Sequence, residues 1–140
     1  MSFLVGIIIS CGVAFAGSSP FGYFSVYGYN YKNWCGIAAG FIDGDPYVNG
    51  GSTMMTQDYS YVPSGYMGAM VELFEENGYM VIDTPWEYNS GSDYRIESQI
   101  ASIDSPTVGG YYYARGKSAA FNGNGYSYYY TFRTPNEKVD

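Results

Sequence analysis

The side chains in this sequence that could perform conventional acid–base chemistry are carboxylates, since the chain has 13 acidic residues and no histidine. Hydrolysis of a glycosidic bond would need two carboxylates facing one another at about 5–10 Å. Glu72 is the most suggestive candidate, because it alternates on the same side of a strand-like run as Tyr66 and Phe74. The other carboxylates lie mainly at turns or beside loops, which favours a solvated acidic surface. We therefore assign no catalytic residue.

The absence of histidine excludes several classes of enzyme and of metal site. It removes Ser-His-Asp and Cys-His catalysis, histidine-based zinc and copper sites, and a histidine pH switch. We therefore expect a protein that is not an enzyme and that needs no cofactor.

The aromatic residues offer a binding site instead of a catalytic one. Tyrosine and tryptophan rings present flat apolar faces to sugar rings, while nearby charged or amide groups bond to hydroxyls. The candidate ligand-binding residues are Arg115, Lys117, Tyr129 and Arg133 in a C-terminal hairpin, and Trp86 and Tyr88 after Pro85. The alternative is that tyrosine serves cross-strand pairing, where each pair contributes roughly 0.2–1 kcal/mol.

One short segment has residues that could bind calcium. Asp43, Asp45 and Asn49 would supply oxygen ligands, but a full calcium loop of the EF-hand type needs glutamate at its twelfth position, where this chain has Met54. The spacing favours an Asx turn between two strands. We expect no metal site and keep calcium as a secondary hypothesis.

Composition and charge narrow the class of protein further. The 140-residue chain is long enough for one domain, and its 20% aromatic and 14% charged content with 19 glycines indicates an all-β fold rich in turns. The net charge is −7 and the six cations are scattered along the sequence. Nucleic-acid binding needs a concentrated basic surface, so we reject nucleic acid as a partner. An acidic chain is also a poor candidate for binding to an anionic membrane surface.

The elements that must position these residues read as strands separated by turn clusters. We predict strands over 21–31, 36–42, 54–62, 66–76, 79–83 and 94–103, with turn residues at Asp43–Pro46 and Asn49–Ser52. Asn77-Gly78 predicts a hairpin with a type I′ turn. This pattern predicts a two-sheet antiparallel sandwich with Greek-key or jelly-roll-like connections over residues 17–134, followed by a frayed polar tail over 135–140.

The C-terminal hairpin has the clearest alternation in the chain. Tyr126, Tyr128, Tyr130 and Phe132 share one strand face, which we expect to be buried. A two- or four-residue loop would place Arg115 and Lys117 on that aromatic face. We therefore predict a three-residue loop at 123–125, which pairs small residues with the aromatic ones and places Arg115, Lys117, Tyr129 and Arg133 together on the outer face.

Residues 1–16 predict a secretory signal peptide. An apolar run is followed by Ala14-Phe15-Ala16, a small-x-small site at which signal peptidase would cut before Gly17. A buried strand or helix of the fold is one alternative, and a lipobox ending at Cys11 is another. Cleavage before Gly17 leaves one cysteine, Cys35, whose apolar neighbours favour a buried thiol over an intermolecular disulfide.

The C-terminal segment carries a family resemblance. Residues 109–136, with Gly-Tyr-Tyr-Tyr-Ala-Arg-Gly and Asn-Gly-Asn-Gly-Tyr, resemble the end of small secreted proteins of Gram-positive bacteria that have no assigned function. Residues 66–79 resemble their middle hairpin. Size, signal peptide and tyrosine-rich strands are also loosely similar to lactococcin-type bacteriocins. The resemblance implies secretion from a Gram-positive cell and supplies no catalytic residue.

Together these features predict a secreted, extracellular β-sandwich that binds a cell-surface glycan or a protein partner. A bacteriocin- or toxin-like protein that acts by self-assembly or on membranes is the alternative, because the tyrosine-rich edge near residues 21–31 is a template for strand addition. A carboxylate-dependent glycan hydrolase is the third hypothesis.

Overall fold

The structure is a computed structural model that describes residues 15–140, and it contains two antiparallel sheets of six strands each. The described part of the chain has no helix, so the predicted all-β two-sheet sandwich is confirmed. The strands, in chain order, are β1 (Gly17–Ser18), β2 (Gly22–Val26), β3 (Tyr29–Ile42), β4 (Asp45–Thr56), β5 (Met67–Glu75), β6 (Met80–Asp83), β7 (Glu87–Tyr88), β8 (Arg95–Glu97), β9 (Ala101–Ile103), β10 (Tyr111–Phe121), β11 (Tyr126–Tyr130) and β12 (Glu137–Lys138). Within residues 15–140, no helix is long and apolar enough to cross a membrane.

The first sheet is built on the long hairpin of β3 and β4. Ile42 pairs with Asp45 around a two-residue turn, and the register runs back to Tyr31 opposite Thr56. β1 and β2 pair with β3, while β8 and β9 pair with β4. Asp43 and Gly44 have φ values of 52° and 82°, so the sequence Asp-Gly forms the type I′ turn that joins two twisted strands.

The second sheet is built on β5 and β10, which pair over nine residues from Tyr112–Glu75 to Ala120–Met67. β6 and β7 pair with β5 on one side, and β11 and β12 pair with β10 on the other. Met67, Val71 and Leu73 of β5 are fully buried between the sheets, while Glu72, on the other face of the strand, is only partly buried.

The interior has two apolar clusters separated by polar side chains. One cluster joins Ile37 and Val48 of the first sheet to Leu73 of the second, and the other surrounds Tyr31 and Met54. The polar side chains form hydrogen bonds across the sandwich. Asn33 Nδ2 donates to Ser118 Oγ at 3.0 Å, and Ser52 Oγ donates to the Met70 carbonyl at 2.8 Å. Thr131 Oγ1 lies 3.2 Å from Cys35 Sγ. These bonds fix the relative position of the two sheets.

The predicted first strand is wrong in one respect, because residues 21–31 form a hairpin. β2 pairs with β3 from Gly22 opposite Asn33 to Val26 opposite Tyr29. Tyr27 and Gly28 form the turn, with φ values of 55° and 84°. The left-handed conformation is unusual for tyrosine, so residue type gives little warning of a turn at this position.

The predicted turn at Asn49–Ser52 is also wrong, because these residues lie inside β4. Gly50 and Gly51 allow side chains of other segments to pack closely against the strand. A Cβ at Gly50 would lie 2.6 Å from Leu73 Cδ2, and one at Gly51 would lie 3.2 Å from the Phe15 ring. Glycine in a strand interior is typical of such close approaches.

Two other predicted elements are confirmed with changes in detail. The hairpin at Asn77-Gly78 is present, but Glu75 N donates to the Tyr79 carbonyl around a three-residue loop that contains Gly78 at φ 94°. The predicted strand over 94–103 is interrupted, and its two parts, β8 and β9, both pair with β4.

The ends of the chain differ from their predicted roles. Residues 135–140, predicted as a frayed tail, add β12 to the second sheet, and Val139 is fully buried. Of the predicted signal peptide, only Phe15 and Ala16 fall within the described residues; Ala14 and the alternative lipobox at Cys11 lie outside them. Cys35 is buried as a free thiol, as predicted.

The C-terminal hairpin has a four-residue loop, so the predicted three-residue register is wrong. Phe121 pairs with Tyr126, and Lys117 lies opposite Tyr130. The predicted burial of the aromatic face is wrong as well, because Tyr128 and Tyr130 are about half exposed. Cations can share this face with the tyrosines because the face is in contact with solvent.

Candidate functional site

The cations of the chain lie over aromatic rings, and most of them are on the outer face of the second sheet. The stacked pairs there are Arg115 over Tyr130 (4.1 Å from guanidinium carbon to ring centroid), Lys117 over Tyr130 (5.0 Å) and Tyr128 (5.2 Å), Arg133 over Tyr113 (3.5 Å) and Lys138 over Tyr111 (5.9 Å). We call the surface formed by Tyr113, Arg115, Lys117, Tyr128, Tyr130 and Arg133 the tyrosine–cation face.

The pleat of β10 creates this face. Tyr113, Arg115 and Lys117 alternate with buried Ala114, Gly116 and Ser118, so the larger side chains all point outward. The register with β11 then brings Tyr130 beside Lys117. From Tyr113 to Lys117 the face extends about 13 Å along β10, at about 3.3 Å per residue.

Arg115 is the most constrained cation of the face. Its guanidinium lies between the Tyr130 ring and the Phe74 ring, 5.2 Å from the Phe74 centroid. Nη2 donates to Glu72 Oε1 at 3.3 Å, and Nε is buried with no hydrogen-bond partner among the described residues. Arg115 is therefore held in place by stacking and by one ion pair.

Lys117 and Arg133 have no carboxylate within 4.0 Å among residues 15–140. Arg133 donates from Nε to the Thr134 carbonyl at 3.2 Å and from Nη2 to Asn136 Oδ1. Neutral groups therefore orient Arg133 without neutralising it. Both cations keep a full positive charge available to a ligand.

Trp86 and Tyr88 extend the face across β5. Tyr88 pairs with Gly68, where a Cβ would lie 2.6 Å from Tyr88 Cε1, so the glycine lets the ring lie flat on the sheet. Trp86 stacks on Tyr88 (6.0 Å) and contacts Tyr128 (5.5 Å). Burial raises the pKa of Tyr88, and the neighbouring tyrosines add to this.

Five of the six predicted ligand-binding residues therefore come together on one face. Arg115, Lys117 and Arg133 lie on the tyrosine–cation face, and Trp86 and Tyr88 adjoin it through Tyr128. The sixth, Tyr129, is on the opposite side of β11. Its ring stacks on Phe24 of the first sheet at 4.2 Å and 11°, inside the sandwich.

Sequence reasoning missed the tyrosines of this face. Tyr128 and Tyr130 were assigned to the core because an alternating aromatic stripe is typical of a buried strand face. Tyr113 belongs to a run of three tyrosines in which only the middle one, Tyr112, is buried. The signal that would have found them is the alternation of Tyr113, Arg115 and Lys117 in β10, since the cations must point outward.

A second, smaller group of the same kind lies on the outer face of the first sheet. Lys32 is 4.7 Å from the Phe21 ring centroid, and Arg95 is 5.7 Å from the Trp34 ring. Arg95 also forms a salt bridge with Glu97. Sequence reasoning did not select Trp34, and this group serves below as a matched control.

The structure does not bring the calcium candidates together. Asp43 and Asp45 flank the tip of the β3–β4 hairpin and are exposed, while Asn49 is four residues along β4, about 13 Å from Asp45. Asn49 Oδ1 accepts a hydrogen bond from Ser102 at 2.7 Å. Within residues 15–140 no group of three acidic or cysteine side chains is placed to hold a metal ion.

Glu72, the candidate for a catalytic carboxylate, lies on the outer face of β5 opposite Asp83 of β6. Its Oε1 is paired with Arg115. A shallow cavity of about 240 Å³ lies elsewhere, between the β5–β6 loop and the start of β10, and Glu75, Glu76 and Tyr111 are among its lining residues. Small-molecule sites usually enclose about 300–1,000 Å³, so the exposed aromatic surface is the better candidate site.

Comparison with known proteins adds no family. No family model matches the chain, and a search of curated proteins finds no match.

Proposed function

We propose that this protein binds a glycan carrying carboxylate or phosphate groups, and that it does so outside the cell and without catalysis. The observation that carries the proposal is the tyrosine–cation face, where half-exposed tyrosines alternate with stacked cations. Sugar rings stack on flat aromatic faces, and the anionic substituents of the glycan pair with Lys117 and Arg133.

The rigidity of the face supports binding. Arg115 and Arg133 rest on rings of the sheet, so binding costs less side-chain entropy than it would for free arginines. The underlying strands are held by the nine-residue pairing of β5 with β10. A ligand therefore meets groups that are already oriented.

The charge of the protein supports an anionic glycan of modest charge density. The net charge is −7, yet four of the six cations lie over rings on this one side of the second sheet. The local positive charge attracts isolated carboxylates or phosphates, while the acidic remainder repels a dense polyanion such as nucleic acid.

The test is a glycan array that includes neutral glycans and their acid-bearing counterparts, with single-stranded DNA as a control polyanion. The proposal predicts retention of acid-bearing glycans, weaker retention of the neutral counterparts and no retention of DNA at physiological salt. Equal retention of neutral and acidic glycans would remove the role of the cations. Retention of none of them would contradict the proposal and favour a protein partner.

One observation favours the alternative of self-assembly. β6 is an edge of the second sheet, and Met80, Val81 and Ile82 are all exposed, with fractional exposures of 42%, 36% and 37%. An exposed apolar edge strand is a template for pairing with another chain. Size-exclusion chromatography from low to high micromolar protein concentration tests self-assembly, and a shift to dimer that Val81→Lys abolishes would favour it. Release of dye from liposomes would show that the assembled protein also acts on membranes.

A further inference from the structure

We propose that the fold contains an acceptor for a new N-terminus: after cleavage between Ala16 and Gly17, the ammonium group of Gly17 pairs with the Glu137 carboxylate. The proposal concerns the predicted processing site and is independent of the glycan proposal. Its basis is the position of Glu137, which lies against the backbone of Gly17.

The distance between the two groups is short. A Cβ built on Gly17 would lie 3.0 Å from Glu137 Oε2 and 3.2 Å from Ile37 Cγ2, so the Glu137 carboxylate lies close to the Gly17 backbone. The nitrogen and the Cβ position of one residue are about 2.5 Å apart, which places Oε2 within about 5.5 Å of the Gly17 nitrogen. A rotation of the Glu137 side chain that turns Oε2 towards the Gly17 nitrogen would close the ion pair.

Within residues 15–140, the Glu137 carboxylate has no salt-bridge partner. Glu137 is partly buried in β12, with its side chain on the same side of the strand pair as buried Tyr112. An ammonium at Gly17 would neutralise it and would join β1 of the first sheet to β12 of the second.

Cleavage also removes a contact. A Cβ at Gly36 would lie 2.8 Å from Phe15 Cγ, and one at Gly51 would lie 3.2 Å from Phe15 Cζ, so the Phe15 ring covers this glycine pair on the outer face of the first sheet. The cut chain loses this packing and gains the Gly17–Glu137 pair. The two chains can therefore have similar overall stability, and a direct comparison of them is uninformative.

The covalent step is hydrolysis of one amide bond by a signal peptidase during translocation. Water adds across the Ala16–Gly17 bond, so the carbonyl carbon of Ala16 becomes a carboxylate and the nitrogen of Gly17 becomes an ammonium group. No oxidant or cofactor is required. Ala16 is exposed in the structure.

The decisive experiment is a double-mutant cycle on thermal unfolding. Two chains are prepared, one that starts at Gly17 and one that retains residues 1–16, so that position 17 carries an amide, and each is made with Glu137 or with Glu137→Gln. The proposal predicts that Glu137→Gln lowers Tm by about 3–5 °C in the chain that starts at Gly17 and by less than about 1 °C in the longer chain. The control Glu76→Gln, which removes an exposed loop carboxylate, leaves both chains unchanged.

An equal effect of Glu137→Gln in both chains would overturn the proposal. N-terminal acetylation of the chain that starts at Gly17 is the second perturbation, since it removes the ammonium without changing Glu137. Acetylation must lower Tm by about as much as Glu137→Gln does in the same chain, and an unchanged Tm would contradict the ion pair. Mass spectrometry of protein exported by a Gram-positive host must find Gly17 as the first residue, and any other start overturns the proposed cleavage.

Discussion

The hydroxyl of Tyr31 provides the sharpest test of the interior. Tyr31 is fully buried, its ring stacks on Phe24 at 5.6 Å, and its hydroxyl has no hydrogen-bond partner among residues 15–140. Burial raises the pKa of Tyr31 to about 12, and the nearby Tyr29 and Tyr66 add to this. The substitution Tyr31→Phe removes the hydroxyl and keeps the ring.

The expected effect at neutral pH is stabilisation. A buried hydroxyl without a partner costs about 1–3 kcal/mol, and its removal leaves a space of about 15 Å³, which costs about 0.4 kcal/mol at 24 cal/mol per Å³. Tyr31→Phe should therefore raise the free energy of unfolding by about 1 kcal/mol or more at pH 7.

The pH dependence of the free energy of unfolding tests the burial of the Tyr31 hydroxyl independently. The folded state holds the Tyr31 proton more tightly than the unfolded state, whose tyrosine has a pKa near 10. The unfolded state therefore ionises first, and the wild-type protein loses stability as the pH rises from about 10 through 12. With these two pKa values the loss is about 1.4 kcal/mol at pH 11.

The assay is urea unfolding of wild type, Tyr31→Phe and the control Tyr23→Phe at pH 7 and pH 11. The Tyr23 ring is 64% exposed, so its hydroxyl is solvated and its loss should change little. Tyr31→Phe should lose less stability than wild type between the two pH values. Destabilisation of Tyr31→Phe by more than about 1 kcal/mol at pH 7 would refute the reasoning, because it would mean that the hydroxyl is well bonded.

Three other substitutions or modifications test the packing and the site. Gly116→Ala should lower the free energy of unfolding, measured by urea titration, by about 1–3 kcal/mol, because the new Cβ would lie 2.4 Å from Ser52 Cβ of the opposite sheet. The control Gly91→Ala places a Cβ with no atom within 4 Å and should be nearly neutral. Cys35 is buried and burial raises the pKa of its thiol, so a thiol reagent should label it only in denaturant; rapid labelling of the folded protein would contradict its placement. Gly68→Ala should displace the Tyr88 ring and weaken glycan binding measured by calorimetry, while unchanged affinity would place the site elsewhere.

Local patterns in the sequence were sufficient for the class of fold. A side-chain period of two predicts a strand over 66–76, and in β5 Met67, Val71 and Leu73 are fully buried because apolar area is best removed from water. Residue type was insufficient where a long-range contact decides the conformation. Gly50 looks like a turn residue, yet it lies in β4 because Leu73 of the other sheet needs its space.

The candidate site was predictable in its residues and only partly in its geometry. The sequence predicts Arg115 and Lys117 on an outer face, where the structure has them, but it also predicts Tyr129 on that face, whereas Tyr129 packs inside the sandwich. The error was the assumption that an aromatic stripe is buried. Tyrosine has an apolar ring and a polar tip, so a stripe of tyrosines is stable in water when cations cover the rings.

Two charge-matched variants test whether the tyrosine–cation face binds the ligand. Lys117→Gln/Arg133→Gln removes two cations from this face, and Lys32→Gln/Arg95→Gln removes two stacked cations from the first sheet. Both variants have the same net charge. Calorimetry with an acid-bearing glycan retained on the array measures their affinities.

We expect the first variant to lose affinity by about tenfold or more, which corresponds to about 1.4 kcal/mol, and the second to change by less than about twofold. Equal losses in the two variants would show that net charge alone governs binding, and a larger loss in the second would place the site on the first sheet. Either result would contradict binding at the tyrosine–cation face.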